Sequence, residues 1–181
     1  NTTIAKNALS LSNDVKSSPH IVLDNERQVK ILRGKVGMSK LLPTANTAFA
    51  KLLSQAFKLA TEKSSIQSFD SKDLERCMKQ DNRMLVGTSV IKDPNIDNLG
   101  AMIYQNCLKR SPCPSTQEKS KTGALLLVAS PEMADDPNIS QHMDAAISYV
   151  GGRTETLFSG VYIRENVPGL VAILLMGGIK K

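Results

Sequence analysis

Three features of the sequence predict an α/β fold built from a mixed sheet and helices. Short apolar runs typical of strands alternate with segments whose apolar residues recur at helical spacing. One amphipathic helix, which follows Pro43, is much longer than the others. From Met84 onward the elements follow the order β-α-β-α-β-β, and right-handed crossovers would pack the helices against one face of a compact, mixed four-stranded sheet.

The composition is that of an ordinary globular chain. Of the 181 residues, 41% are hydrophobic and 22% are charged, which argues against wholesale disorder. No apolar run approaches the roughly 18 residues that a membrane span requires, and the polar start at Asn1 is unlike a signal peptide. The three cysteines are an odd number without a CxxC spacing, which favours reduced thiols and a cytoplasmic protein.

The net charge allows an anionic partner without demanding one. There are 23 basic and 17 acidic residues, a difference of +6, and the basic residues are scattered along the chain. They are not interleaved with the aromatic residues on which single-stranded nucleic acid stacks, so we expect nucleic acid to be involved only indirectly. His20 and His142 are isolated, and no metal site is predicted.

The central helix has the clearest pattern in the sequence. Pro43 and Thr44 supply a plausible start, and the helix would run to about Lys63, a length of about 30 Å. Such a helix could connect two domains. Its apolar residues recur at the spacing of one helix face: Ala45, Ala48, Phe49, Leu52, Leu53, Ala56, Phe57 and Ala60.

The remaining elements are predicted from shorter patterns. Before the central helix we expect a weak helix at 7–16, a buried strand at 20–23 and a brief helix at 28–32. After it we expect a helix carrying Leu74, Cys77 and Met78, strands at 84–91 and 123–129, and helices at 97–109 and 138–150. The last two strands, 156–163 and 170–176, are close enough in sequence to form an antiparallel hairpin. The pairs Gly151-Gly152 and Gly177-Gly178 are expected in turns.

One cluster of polar residues could carry chemistry, the run Asp70-Ser71-Lys72-Asp73 ahead of a helical pattern. The sequence has no GxxxxGK[ST], GxGxxG or GxSxG motif. Carboxylates three residues apart at a helix start lie near one another. The local pattern by itself favours Asp70 as an N-cap and Asp73 as a first-turn acid. The functional alternative is a carboxylate pair that holds and polarises a water molecule.

The order of elements resembles that of the tubulin/FtsZ superfamily, most of all its bacterial FtsZ and TubZ groups. A short strand, a long helix, an acidic D-x-x-D loop and the final β-α-β-α-β-β block follow one another in that family's order. The resemblance rests on these runs: Asn7-Ala8-Leu9, Val22-Leu23-Asp24-Asn25, Phe69-Asp70-Ser71-Lys72-Asp73-Leu74 and Met84-Leu85-Val86-Gly87-Thr88.

Two departures from the family pattern define what part of it this chain resembles. Nothing here corresponds to the family's Gly-rich phosphate-binding signature, so the chain looks like the C-terminal half. Its expected parts are the end of a nucleotide-binding domain (1–42), the central helix (43–66) and a GTPase-activation domain (67–181). Ser68 stands where the acidic loop usually carries Asn, which could alter hydrolysis.

The resemblance implies a self-assembling GTPase whose catalytic site is split between subunits. One subunit binds GTP, and the next places its acidic loop above the γ-phosphate, where Asp70 and Asp73 would orient the attacking water. The subunits would then stack head to tail into cytoskeletal filaments. The fragment by itself is predicted to be inactive.

The resemblance also implies which residues lie near the nucleotide. Asn46 or Thr47 would face the guanine base, and Asp24 and Asn25 would lie at the nucleotide edge of the first strand. For Asn46 a helix-start cap is an equal alternative. GTP or GDP would be bound mainly by the N-terminal domain that this chain lacks, and magnesium is left open as an accompanying ion.

Other functions are left open by the sequence. The block 84–181 could be a non-enzymatic α/β module that binds nucleic acid through its positive charge, or a regulatory domain with a small ligand beside the sheet. For a filament protein, the process served (cell division or plasmid segregation) and any adaptor protein are also open.

Overall fold

A computed structural model describes residues 20–64, 66–80, 83–93, 97–114 and 119–179. The predicted helix at 7–16 lies outside them. The strands are β1 (His20–Ile21), β2 (Arg83–Ile91), β3 (Ser120–Ala129), β4 (Thr154–Ile163) and β5 (Leu170–Ile179). The helices are α1 (Asn25–Leu32), α2 (Leu41–Thr61), α3 (Ser71–Met78), α4 (Leu99–Arg110), the single turn α5 (Pro131–Ala134) and α6 (Ile139–Gly151).

The strands form one mixed sheet in the order β1-β2-β5-β3-β4. Strand β5 is antiparallel to both of its neighbours, whereas β3 and β4 are parallel. The α/β class is therefore confirmed, and the four strands expected after residue 84 do lie side by side. A fifth strand adds to them, because His20 and Ile21 pair in parallel with the start of β2.

The predicted hairpin between the last two strands is wrong. Strand β5 lies between β2 and β3, with Ile91 opposite Leu170, and β4 occupies the far edge of the sheet. The burial of the two strands gives the physical reason. Almost every residue of β5 is buried, as suits an interior strand, whereas β4 exposes Glu155 and Thr156 to solvent as an edge strand can.

Helices cover both faces of the sheet. Helices α4 and α6 pack on one face, in a core that includes Leu85 and Ile103. The prediction that the helices of the final block share one face is thus confirmed. Helices α2 and α3 pack on the other face, in a core that includes Leu59, Phe69 and Val86. Adjacent residues of β2 point into different cores, which explains why the central strands are continuously apolar.

The central helix begins two residues before Pro43, directly after a single 3₁₀ turn (Met38–Lys40). A proline in the first helical turn costs little, because the N–H that it lacks would have no partner there. The helix buries Ala45, Leu52 and Ala56 of the predicted stripe but leaves Phe57 46% exposed. Helix α2 therefore covers the sheet with only part of its apolar face.

Gly177 and Gly178 lie inside β5, so the turn expected there is also wrong. A Cβ atom on Gly177 would stand 2.4 Å from the carbonyl oxygen of Cys77 on α3. Gly178 adopts a φ of +68°, which L-residues with side chains rarely adopt. Gly177 is needed for the close approach of α3 to the sheet. This approach sets the position of α3, the helix that follows the acidic loop. Gly151 and Gly152 lie at the end of α6, as expected.

Candidate functional site

Asp70 is the N-cap of α3, as the local pattern predicts. Its Oδ1 accepts hydrogen bonds from the backbone N–H groups of Lys72 (2.8 Å) and Asp73 (2.9 Å). In return, the Asp70 N–H donates to Oδ2 of Asp73 at 3.4 Å, which completes a capping box. The two carboxylates are thus brought together at one helix start.

The cap leaves this acidic pair accessible. Asp70 is exposed, and the side chain of Asp73 is 25% exposed. Both capping bonds end on Oδ1 of Asp70, so its Oδ2 is not used by them. Arg76 lies 4.0 Å from Asp73 across one helical turn, a surface pairing that contributes little to stability. Acidic side chains at the positive end of a helix can accept hydrogen bonds from a water or present negative charge to a neighbour.

The other predicted site residues lie near the opposite end of α2. Asn46 and Thr47 are exposed on its first half. The helix begins at Leu41, so the alternative that Asn46 caps it is wrong. Thr47 lines an open depression of about 380 Å³, and two lysines, Lys40 and Lys51, give this depression positive charge.

Asp24 and Asn25 lie at the start of α1, which packs against the first half of α2. Asp24 is the N-cap and accepts from the Arg27 N–H at 2.9 Å, and Asn25 is the exposed first residue of the helix. The cavity between the two helices is lined by Ile31 and Ala48, among others. Asp24 and Asn25 therefore lie near the start of α2, with Asn46 and Thr47, and not near the acidic pair.

The structure does not bring the acidic pair and the predicted nucleotide residues together. Phe69, directly before Asp70, is tied by the Tyr162 hydroxyl to the carbonyl oxygen of Leu59 near the end of α2. From Asn46 to Leu59 the helix rises about 20 Å, at 1.5 Å per residue. Within one molecule, the two groups cannot contact the same nucleotide phosphate.

Sequence reasoning missed Arg27, which attaches α1 to the final block. Its guanidinium donates to the carbonyl oxygens of Leu108 (2.5 Å), Ser111 (3.1 Å) and Lys109 (3.2 Å) at the end of α4. The Asp24 N–H adds a bond of 2.8 Å to the Pro112 carbonyl. An arginine at a helix C-terminus satisfies carbonyls that lack helical partners. These partners lie more than 80 residues away, and no local signal could reveal them.

The thiols are unsuited to nucleophilic catalysis. Cys77, Cys107 and Cys113 are all free and buried. Burial raises the pKa of Cys77 to about 11 and that of Cys107 to about 12, so both stay protonated at neutral pH. Within the described ranges, no three His, Cys, Asp or Glu side chains lie close enough together to hold a metal ion. Nor is any helix in those ranges long and apolar enough to cross a membrane.

Comparison with solved structures shows where this fold occurs. The TubZ protofilament of Bacillus thuringiensis serovar israelensis in its GTPγS form matches 99% of the chain, with a TM-score of 0.71 and 16% identity. An FtsZ dimer from M. jannaschii matches 87% (TM-score 0.66, 16% identity). The GTPγS-bound protofilament of CetZ2 from Haloferax volcanii matches 89% (TM-score 0.66, 14% identity). No protein-family model and no curated protein sequence matches the chain.

The chain is thus an α/β protein with the fold of TubZ, FtsZ and CetZ2, and the fold that the resemblance in the sequence implies is confirmed. At 14–16% identity the likeness establishes the fold. The chain spans less than half of each of these three structures: 46% of TubZ, 44% of FtsZ and 46% of CetZ2.

Proposed function

We propose that this chain is part of a self-assembling GTPase and supplies the acidic catalytic loop to the nucleotide site of the next subunit. The observation that carries the proposal is the separation of the two groups of site residues. Asp70 and Asp73 are accessible beyond one end of α2, and Asn46 and Thr47 are exposed about 20 Å away along the same helix.

Such an arrangement suits a site that closes between molecules. A rigid helix keeps its two ends apart, so the acidic end of one subunit can meet only the nucleotide end of another. A contact between two different surfaces of identical subunits repeats into an open filament. Solved structures with this fold include protofilaments in GDP and GTPγS forms, which supports the proposal.

Each proposed residue has a role that suits its chemistry. The carboxylates of Asp70 and Asp73 accept hydrogen bonds from the attacking water and orient it toward the γ-phosphate. Asn46 or Thr47 hydrogen-bonds the guanine base, and Asp24 and Asn25 lie at the nucleotide edge. The phosphates are held mainly by a nucleotide-binding domain outside this chain, and we assign no magnesium ligand to the described residues.

The variant Asp73→Ala tests the proposal in the full-length gene product, which on this view also carries the nucleotide-binding half. We expect GTP-dependent polymer to form as in the wild type, while phosphate release per polymerised subunit falls about a hundredfold or more, the usual effect of losing a group that orients the reactants. Pelleting and phosphate release measure the two quantities in one sample.

Asp144→Ala is the matched control, because Asp144 is an exposed acid on α6, away from the acidic pair. It removes the same charge and should leave both quantities unchanged. Undiminished phosphate release from the Asp73→Ala protein would refute the proposed role of the pair.

A further inference from the structure

The acidic loop leads into Asp70, and its described part, residues 62–64 and 66–70, is attached to the outer edge of strand β4. The N–H of Val161 donates to the carbonyl oxygen of Gln67 at 2.8 Å, in an isolated antiparallel bridge. The Ser64 hydroxyl donates to the carbonyl oxygen of Val161 and accepts from the N–H groups of Ile66 and Gln67. The described loop residues therefore lie beside an edge strand that comes from a distant part of the sequence.

A buried hydroxyl fixes the end of this loop. The Tyr162 hydroxyl accepts from the N–H of Phe69 at 3.2 Å and lies 2.9 Å from the carbonyl oxygen of Leu59. It also lies 3.1 Å from the carbonyl oxygen of Phe69. Toward the start of the loop, Glu62 forms an ion pair with Arg164, just after β4. The loop is thus held to the strand near both ends.

The hydroxyl joins three parts of the molecule. It has one proton, and the closer acceptor is the carbonyl of Leu59 in the last turn of α2. This carbonyl also accepts the N–H of Glu62 at 3.2 Å. Burial raises the pKa of Tyr162, so the hydroxyl keeps this proton at neutral pH. The central helix, the edge strand and the residue before Asp70 therefore meet at one oxygen atom.

The strand is also shaped to receive the loop. Phe69 is fully buried against β4. A Cβ atom on Gly160 would stand 2.8 Å from Cβ of Phe69 and 2.7 Å from the Tyr162 ring, distances that real Cβ atoms do not show. The missing side chain at residue 160 lets both rings pack closely.

We propose that Tyr162 is a positioning residue for the acidic pair: its hydroxyl holds Phe69, and with it Asp70 and the start of α3, at a fixed place relative to the central helix. The inference rests on the proposed function, because the position matters only if the pair serves catalysis. An error of about 1 Å in placing a reacting group can lower a rate about a hundredfold, so a local shift at Phe69 should affect turnover before it affects assembly.

The substitution Tyr162→Phe in the full-length gene product removes only the hydroxyl and keeps the packed ring. We expect phosphate release per polymerised subunit to fall about tenfold, within the range that small misplacements cause. The critical concentration for assembly should change by less than about twofold. Tyr104→Phe is the control, since it makes the same chemical change on α4, on the opposite face of the sheet, and should change neither quantity.

Amide hydrogen exchange on the 181-residue chain tests the structural part without catalysis. In the Tyr162→Phe chain the Phe69 N–H loses its acceptor and should exchange about tenfold faster or more, while amides of β3 keep their protection. Ser64→Ala is a second variant, at a half-buried loop position that cannot unfold the core, and it should lower turnover in the same direction.

The outcomes separate the inference from the proposed function. If Asp73→Ala stops turnover while Tyr162→Phe leaves both turnover and the Phe69 exchange rate unchanged, the positioning role is wrong and the proposed function stands. If Asp73→Ala itself leaves turnover unchanged, both are wrong. A loss of assembly equal to the loss of turnover in Tyr162→Phe would show a general structural role and would also overturn the inference.

Discussion

At the scale of single residues, the helix cap at Asp70 and the catalytic role proposed for it use different atoms. Its Oδ1 caps α3 by accepting two backbone N–H groups, and its Oδ2 takes no part in those bonds. A carboxylate can therefore stabilise the helix and still accept a hydrogen bond from a water molecule. The cap and the proposed catalytic role are compatible, although the sequence presents them as alternatives.

Two substitutions at Asp70 separate the cap from the proposed catalytic role. Asparagine caps a helix about as well as aspartate, so Asp70→Asn should leave the free energy of unfolding nearly unchanged, whereas Asp70→Ala should lower it by about 1 kcal/mol. Both should lower turnover strongly, because neither keeps the charge. Urea unfolding of the 181-residue chain measures the first effect, and phosphate release by the full-length gene product measures the second. Wild-type turnover in Asp70→Asn would show that the carboxylate charge is not used.

Residue roles could be predicted from the sequence only where their partners are local. The cap at Asp70 follows from a pattern of four residues. Arg27 and Tyr162 bind backbone carbonyls 81 and 103 residues away, and no spacing rule reports such contacts. A tyrosine within an otherwise apolar stretch of strand is the one signal that Tyr162 offers, because a buried tyrosine hydroxyl needs a hydrogen-bond partner.

At the scale of elements, the position of α3 depends on how closely it approaches β5. The carbonyl oxygen of Cys77 lies over Gly177, and the hydroxyl of Thr122 donates to the same oxygen at 3.4 Å. There is no room for a side chain at residue 177. The position of α3, which begins at the acidic pair, is therefore set by a glycine inside strand β5.

Gly177→Ala should lower the free energy of unfolding by about 1 to 3 kcal/mol, the usual cost of overpacking a core. Gly151→Ala is the matched control, because its new Cβ would meet nothing closer than 3.7 Å and the residue ends a helix. Alanine favours a helix over glycine by up to about 1 kcal/mol, so the control should be neutral or slightly stabilising. Urea denaturation of both chains gives the comparison, and equal stability of the two variants would contradict the close packing.

The order and type of the elements could be predicted from the sequence, since they depend on local periodicity. Strand pairing could not. The short connection between β4 and β5 suggested a hairpin, but β5 is apolar throughout and takes an interior place between β2 and β3. The same strand contains Gly177 and Gly178, which resemble a turn until the helix packed above them is known.

At the scale of the whole molecule, one rigid helix holds the acidic pair and the predicted nucleotide residues about 20 Å apart. Contacts at both ends reinforce the separation: Arg27 ties α1 to α4, and Tyr162 ties the acidic loop to α2. On the proposed function, a molecule of this kind completes its site only with a neighbour. Its activity should consequently rise steeply with protein concentration.

The most direct measurement is the phosphate released by full-length, GTP-loaded subunits, kept below their assembly concentration, as the 181-residue chain is added. The chain brings an acidic loop but not the Gly-rich phosphate-binding signature, so the account predicts that phosphate release rises to saturation with the wild-type chain and stays at its basal rate with the Asp73→Ala chain. No stimulation by the wild-type chain, or equal stimulation by the two chains, would contradict the claim that these acids complete the site of a neighbouring molecule.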